Sequence, residues 1–259
     1  MRFQKDVMSY CNPTGLWSGI MFQDTPKFCR GIPDEVFISH KDKDILRGLA
    51  EHVKRISLRE SEKYKRELWY KHNALETYQP VVLCDPENGW NEIITEDMIK
   101  CKGYLAQRWE VGLRKEIAWG EKIMDDRPIE PCFYVGYSYS ESEWGVDLSY
   151  TGGKNGGAYT WNKPIKTIDD VNKLHYPDIA VDYKTTLETY ELASDVFSGL
   201  LEVHLRGNWW WSFGFTFDLI RFIGLTEMMM YMYANPEFLC SSSDWIYQRY
   251  PWGRQTATS

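Results

Sequence analysis

Gln79-Pro80-Val81-Val82-Leu83-Cys84-Asp85-Pro86 is the stretch on which the fold reading turns. Four apolar residues stand together between two prolines, two of them β-branched. The run is too short for a helix, so it predicts a buried strand. Working toward the C-terminus, Thr95 predicts the start of a long helix in which Leu105, Trp109, Leu113 and Ile117 recur every fourth residue. Ile129 to Tyr139 follows as a second strand. Asp182 then begins a helix whose inner side is Leu187, Tyr190, Leu192 and Val196, ending before Gly199. Leu200 to Arg206 is the third strand. Strands alternating with helices imply parallel β/α units joined by right-handed crossovers. Such units build either an open sheet or a closed barrel. The loop Thr151-Gly-Gly-Lys-Asn-Gly-Gly lacks both the spaced glycines of a dinucleotide turn and the Gly-Lys-Ser/Thr ending of a P-loop, which weakens the open-sheet alternative.

The rest of the chain is read around this core. Residues 1–37 carry Pro13, Pro26 and Pro33 with no sustained period, and read as an irregular extension. Ser39 and Asp42 form a capping-box pattern, followed by Ile45, Leu46, Leu49, Val53 and Ile56 on one helical face. From Lys41 to Glu76, 10 basic and 7 acidic residues interleave among 36, a solvated surface. Val146–Tyr150 and Ala158–Asn162 flank Asn155-Gly156, a hairpin signature. Thr167 with Asp170 caps a short helix, Phe215–Ala234 reads as helical, and Asn235-Pro236 opens one more. That last helix is expected to stop early, because no apolar period continues beyond Leu239. Residues 240–259 therefore read as a tail foreign to the fold.

The composition narrows the functional classes. The 259 residues hold 30 basic and 37 acidic side chains, a net charge of −7, which excludes a nucleic-acid-neutralising surface as the main task. At 43% hydrophobic and 15% aromatic, the chain has material for a packed core. Met1–Tyr10 holds two basic residues with no apolar run behind them, so no signal peptide is expected. Asp218, Arg221 and Glu227 interrupt the most apolar stretch, Trp209–Tyr233, and argue against a membrane span. Six cysteines at unrelated spacings do not form a disulfide framework, and the expected setting is the reduced cytoplasm.

Two segments resemble a known family. Gln79-Pro-Val-Val-Leu-Cys-Asp-Pro-Glu-Asn-Gly-Trp90 is similar to the first barrel strand and loop of uroporphyrinogen decarboxylase-like proteins. Gly207-Asn-Trp-Trp-Trp-Ser212 through Asn235-Pro-Glu-Phe-Leu239 resembles that superfamily's third strand, the helix after it and the start of the next. The nearer branch is the corrinoid-linked methyltransferases. The resemblance spans residues 38–239. It implies the N-terminal part of a (β/α)8 TIM-type barrel, roughly three β/α units with a hairpin excursion. For intact relatives it implies zinc, a corrinoid, and a corrinoid protein as partner. Their His and Cys zinc ligands would fall beyond this span. The haem-pathway decarboxylase departs in two places. Asp85 and Glu87 stand where its loop carries arginines, and Gly136-Tyr-Ser-Tyr-Ser140 has no aspartate. Two carboxylates repel a polyacidic porphyrinogen.

Barrel sites lie beyond the C-terminal strand ends. The candidates for substrate binding there are Asp85, Glu87 and Asn88, then Tyr137 and Tyr139, then Asn208 and Trp209. No catalytic residue is identified. No metal site is expected, since no cysteines stand at zinc spacing and none pairs with a histidine in a recognisable sequence pattern. His204, between Val203 and Leu205, reads as a core histidine, and Met228–Met230 with Met232 as packing filler. Three readings stay open: a methyltransferase fragment of this family, a decarboxylase or related lyase on a less acidic substrate, and an inactive fragment. With three strands of eight, an open partial barrel is expected, its apolar edge aggregation-prone.

Overall fold

The computed structural model describes residues 36–86, 89–142, 144–152, 159–175, 178–206 and 215–249. The chain divides into two units, Met1–Ser140 with Val181–Trp210, and Glu141–Ala180 with Trp211–Ser259. The leader up to residue 35, the Asn155-Gly156 turn and the last ten residues lie outside the described residues.

In the first unit, α1 (His40–Ser57) buries Leu46, Ala50, Val53 and Ile56, a stripe at helical spacing. Ile45 and Leu49 flank that stripe, partly buried. It packs on α4 (Tyr104–Ala118), whose Leu105, Ala106, Trp109 and Leu113 face it in one core. The helix α2 (Glu60–Asn73) is largely solvated, with Leu68 and Glu62 turned inward. A single turn, α3 (Trp90–Ile93), seats the fully buried Trp90 against Trp119, their rings 4.5 Å apart. The strand β1 (Cys132–Gly136) and β6 (Glu202–Arg206) pair in parallel, Cys132 opposite Glu202 and Tyr134 opposite His204. The helix α6 (Tyr183–Val196) precedes β6 and contributes Ala193 and Val196 to the core. Trp109, Phe133 and Phe197 cluster at its centre, with centroid separations of 5.2, 5.6 and 4.3 Å. Leu187, expected on the inner side of α6, is half exposed, and Thr186 takes the buried position instead.

The first expected strand is absent. Val81–Cys84 is extended but pairs with no strand among the described residues, and Val82 and Cys84 are exposed. Its backbone groups are taken by side chains. The Val82 N–H donates to the Asp126 carboxylate at 2.7 Å, and the Cys84 N–H to Asp125 at 2.7 Å. The Trp119 indole N–H donates to the Cys84 carbonyl at 3.0 Å, and the Asp126 N–H to the Val82 carbonyl at 3.0 Å. Two carboxylates and an indole do the work of a neighbouring strand, so the segment needs none.

The helix expected from Thr95 is also divided. Glu96–Met98 forms one 3-10 turn, and the α-helix begins at Tyr104. Between them the buried Glu110 carboxylate accepts the N–H groups of Lys100 and Cys101, and Asp42 accepts those of Lys102 and Gly103. These anchors hold the backbone out of helical geometry. At its far end α4 widens into a π-helical turn, Trp119–Ile123.

The second unit contains the hairpin β3 (Tyr150–Gly152) and β4 (Tyr159–Trp161), antiparallel with Thr151 opposite Thr160. The expected capping box at Thr167 and Asp170 is complete and starts α5 (Ile168–Val171). The strands β2 (Tyr139–Glu141) and β5 (Ile179–Val181) pair as a two-stranded ribbon. The predicted helix 215–234 is broken into α7 (Phe215–Ile223) and α8 (Leu225–Ala234) by Gly224, whose φ of +98° suits a residue without Cβ. Asn235 caps α9 (Pro236–Arg249) as expected, its side chain accepting the Phe238 N–H at 3.3 Å. Contrary to expectation, α9 runs on past Leu239. The Ser242 and Ser243 hydroxyls donate to the carbonyls of Phe238 and Leu239, four residues back, so within the helix these side chains bond to its own backbone. Met228 is buried, whereas Met229, Met230 and Met232 are exposed, so packing accounts for only one of the four methionines. No described helix is long and apolar enough to cross a membrane.

Candidate functional site

The alternation of a β-strand sorts the β1–β6 pair into two faces. Phe133 and Val135, with Val203 and Leu205, point into the core of the first unit. Cys132, Tyr134, Glu202, His204 and Arg206 therefore share the opposite face. Parallel register sets Cys132 beside Glu202, Tyr134 beside His204 and Gly136 beside Arg206. His204 is a partly exposed member of this polar face, its side chain 40% exposed, and not a core histidine. The alternation that suggested burial places it away from Val203 and Leu205.

The face is tightly connected. His204 Nε2 lies 3.5 Å from Glu202 Oε1, and the Tyr134 and His204 rings are 5.8 Å apart at 30°. The Arg206 guanidinium sits over the Tyr134 ring at 5.0 Å, a cation–π contact. Glu130 is held by Arg66 from α2 at 3.5 Å. Burial raises the Cys132 thiol pKa above its ordinary value, and the Glu130 and Glu202 carboxylates push it the same way. Tyr134 is also raised, again chiefly by burial. A neutral thiol is a poor nucleophile.

One sulfur, one imidazole nitrogen and one carboxylate oxygen of Cys132, His204 and Glu202 all lie within 4.8 Å of one another. A scan for local sequence spacing does not find this set, because Cys132 and Glu202 are joined only by strand register. The legible signal was Glu202-Val-His204, two donors two residues apart on one strand face.

The residues expected from sequence are distributed differently. Asp85 accepts the Trp90 indole N–H at 2.9 Å, an anchor for the buried α3 turn. Tyr137 and Tyr139 are half-buried just beyond the C-terminal end of β1, so one strand end brings these two together. Glu87, Asn88, Asn208 and Trp209 lie outside the described residues. No protein family, curated protein or solved structure matches the chain.

Proposed function

We propose that residues 38–239 belong to a uroporphyrinogen decarboxylase-like β/α barrel of the corrinoid-linked methyltransferase branch. The observation that supports this most is the parallel pairing of β1 with β6, with α6 in the crossover between them. In that reading, substrate meets the C-terminal end of β1, where Tyr137 and Tyr139 stand, and the resemblance adds Asp85, Glu87, Asn88, Asn208 and Trp209 as expected binding residues. The tyrosine hydroxyls orient a polar acceptor, and the acidic loop repels polyanions. Zinc in intact relatives holds an acceptor thiol as thiolate. The resemblance over residues 38–239 includes no ligands for that zinc, so no step through it is assigned to this chain. The setting that goes with this reading is the reduced cytoplasm.

The test is to incubate the full chain with methylcob(III)alamin and a small thiol. Formation of the methyl thioether by mass spectrometry, with one cobalt(I) released per methyl group, supports the reading. Loss of most of that rate in Tyr137→Phe, with unchanged thermal stability, supports the assigned strand end. Absence of transfer with the chain folded overturns methyl transfer as this chain's activity.

A further inference from the structure

The polar face of the β1–β6 pair carries an inference that does not depend on the barrel reading. We propose that Cys132 Sγ, His204 Nε2 and the Glu202 carboxylate bind one divalent cation of the zinc class, pinning the two parallel strands together. The donor chemistry selects the metal. A thiol and an imidazole favour a borderline-soft ion over magnesium or calcium, which take all-oxygen sites. Tetrahedral zinc bonds of about 2.0–2.3 Å place neighbouring donors about 3.3–3.8 Å apart. His204 and Glu202 already meet that spacing at 3.5 Å, and no donor pair in the set exceeds 4.8 Å. The remaining approach is within the reach of χ rotations, because Glu202 is exposed and His204 partly so.

Electrostatics on this face agree with a cation. Glu202 stands opposite Cys132 in the register and Glu130 lies two residues before that cysteine, so the thiol sits among carboxylates. A divalent ion between Cys132 and Glu202 takes the sulfur as thiolate, and the thiol releases its proton to solvent on binding. Two positive groups bound the site. Arg66 is engaged with Glu130, and Arg206 lies over Tyr134 toward the C-terminal strand end. Tyr134 is the supporting group, opposite His204 in the register with its ring 5.8 Å from the imidazole.

Position distinguishes this site from a barrel active centre. Cys132 and Glu202 are the first residues of their strands, at the end opposite Tyr137 and Tyr139. An ion held by the first residue of β1 and by Glu202 and His204 of β6 bridges the two strands. The proposed ion is therefore a staple. It closes the long crossover between β1 and β6, and three protein ligands leave the fourth position to water.

The experiment uses the full chain, stripped with a chelator and titrated with zinc, then separately with cobalt(II). We expect one zinc per chain by elemental analysis, a higher Tm with zinc than without, and a thiolate-to-cobalt charge-transfer band. Cys132→Ser should abolish that band, and both Cys132→Ser and His204→Gln should weaken zinc binding by at least about tenfold. Cys84→Ser, on an exposed thiol elsewhere, should change neither. His204→Gln keeps the test decisive if the serine variant folds poorly, since its side chain is not in the core. No stoichiometric zinc, or equal binding by the His204→Gln chain, overturns the proposal. Neither result bears on methyl transfer, which is read by a separate product.

Discussion

Asp42 caps a helix other than its own. Its carboxylate, in the first turn of α1, accepts the N–H of Gly103 at 3.2 Å and that of Lys102 at 3.0 Å, at the start of α4. The Ser39 hydroxyl still accepts the Asp42 N–H at 3.1 Å, so half of the capping pattern in the sequence is realised locally. The other half is spent on a neighbour 60 residues away. With Asp42 only 3% exposed, these are bonds to a charged group shielded from water.

Asp42→Ala should therefore destabilise the chain more than Ser39→Ala. Losing the hydroxyl cap costs about 1 kcal/mol. Losing the carboxylate leaves two donors without their acceptor and costs about 2–4 kcal/mol. Chemical denaturation gives the totals. Hydrogen exchange at Lys102 and Gly103 should accelerate in the Asp42 variant alone. Equal losses in the two variants would mean that the link between α1 and α4 contributes little.

What could be read in advance divides along the same line, between local and distant partners. Thr167 with Asp170, Asp182 before α6, and Asn235-Pro236 before α9 are caps whose donors and acceptors lie within four residues, and all three start helices in the structure. Val81–Cys84 was misread because its partners, Asp125 and Asp126, are side chains some 40 residues away. An apolar run says that a segment is extended, but not what satisfies its backbone. The helix from Thr95 failed for a related reason, since Glu110 and Asp42 capture the four N–H groups it needed. In the candidate site, the pattern Glu202-Val-His204 was visible, whereas the arrival of Cys132 beside it depends on a parallel register.

Charge removal should separate a buried pair from exposed ones. Arg127 grips Glu116 with two bonds, 2.7 and 2.8 Å, its guanidinium stacked 4.2 Å from the Trp119 ring, and both side chains are buried. Glu116→Leu alone strands a buried cation, and a loss of about 3–5 kcal/mol is expected. The double change Glu116→Leu with Arg127→Met should recover much of it. By contrast, Lys63→Ala, which removes an exposed partner of Glu60, should cost under about 1 kcal/mol. Denaturation of these three variants and of Arg127→Met alone checks this, and additivity of the buried pair would contradict it.

Two carboxyls should bend the acid limb of stability in opposite senses. Glu121 is lowered chiefly by its 2.8 Å bond to His52, which burial opposes, with Arg59 at 3.1 Å adding to the lowering. Its contribution is present above the ordinary value of 4.5 and is lost as pH falls from there through the lowered value. Asp218 is raised by burial, more than Arg221 offsets. The fold holds that proton more tightly than the unfolded chain, so its contribution is present below the ordinary 3.8 and is lost as pH rises through the raised value. Carboxyl titration by NMR should show His52→Ala moving Glu121 up, and Arg221→Ala moving Asp218 further up. A downward move at Asp218 would mean that burial does not govern it.

Gly120 gives the sharpest test of packing in the first unit. It lies in the π-helical turn after α4, where the backbone passes directly over α1. A Cβ there would stand 2.6 Å from Ile56 Cγ2 and 3.1 Å from Ile129 Cγ1, and both isoleucines are fully buried. Neither neighbour is the free end of a flexible polar chain, so the core itself must yield. Gly120→Ala should cost about 1–3 kcal/mol by overpacking, despite the better helix propensity of alanine. Ile56→Ala should cost about 2–5 kcal/mol by leaving a cavity. Since the new methyl would occupy part of that cavity, the double variant should lose less than the two single losses together. Strict additivity in urea denaturation would show that contact with Ile56 is not what excludes a side chain at position 120.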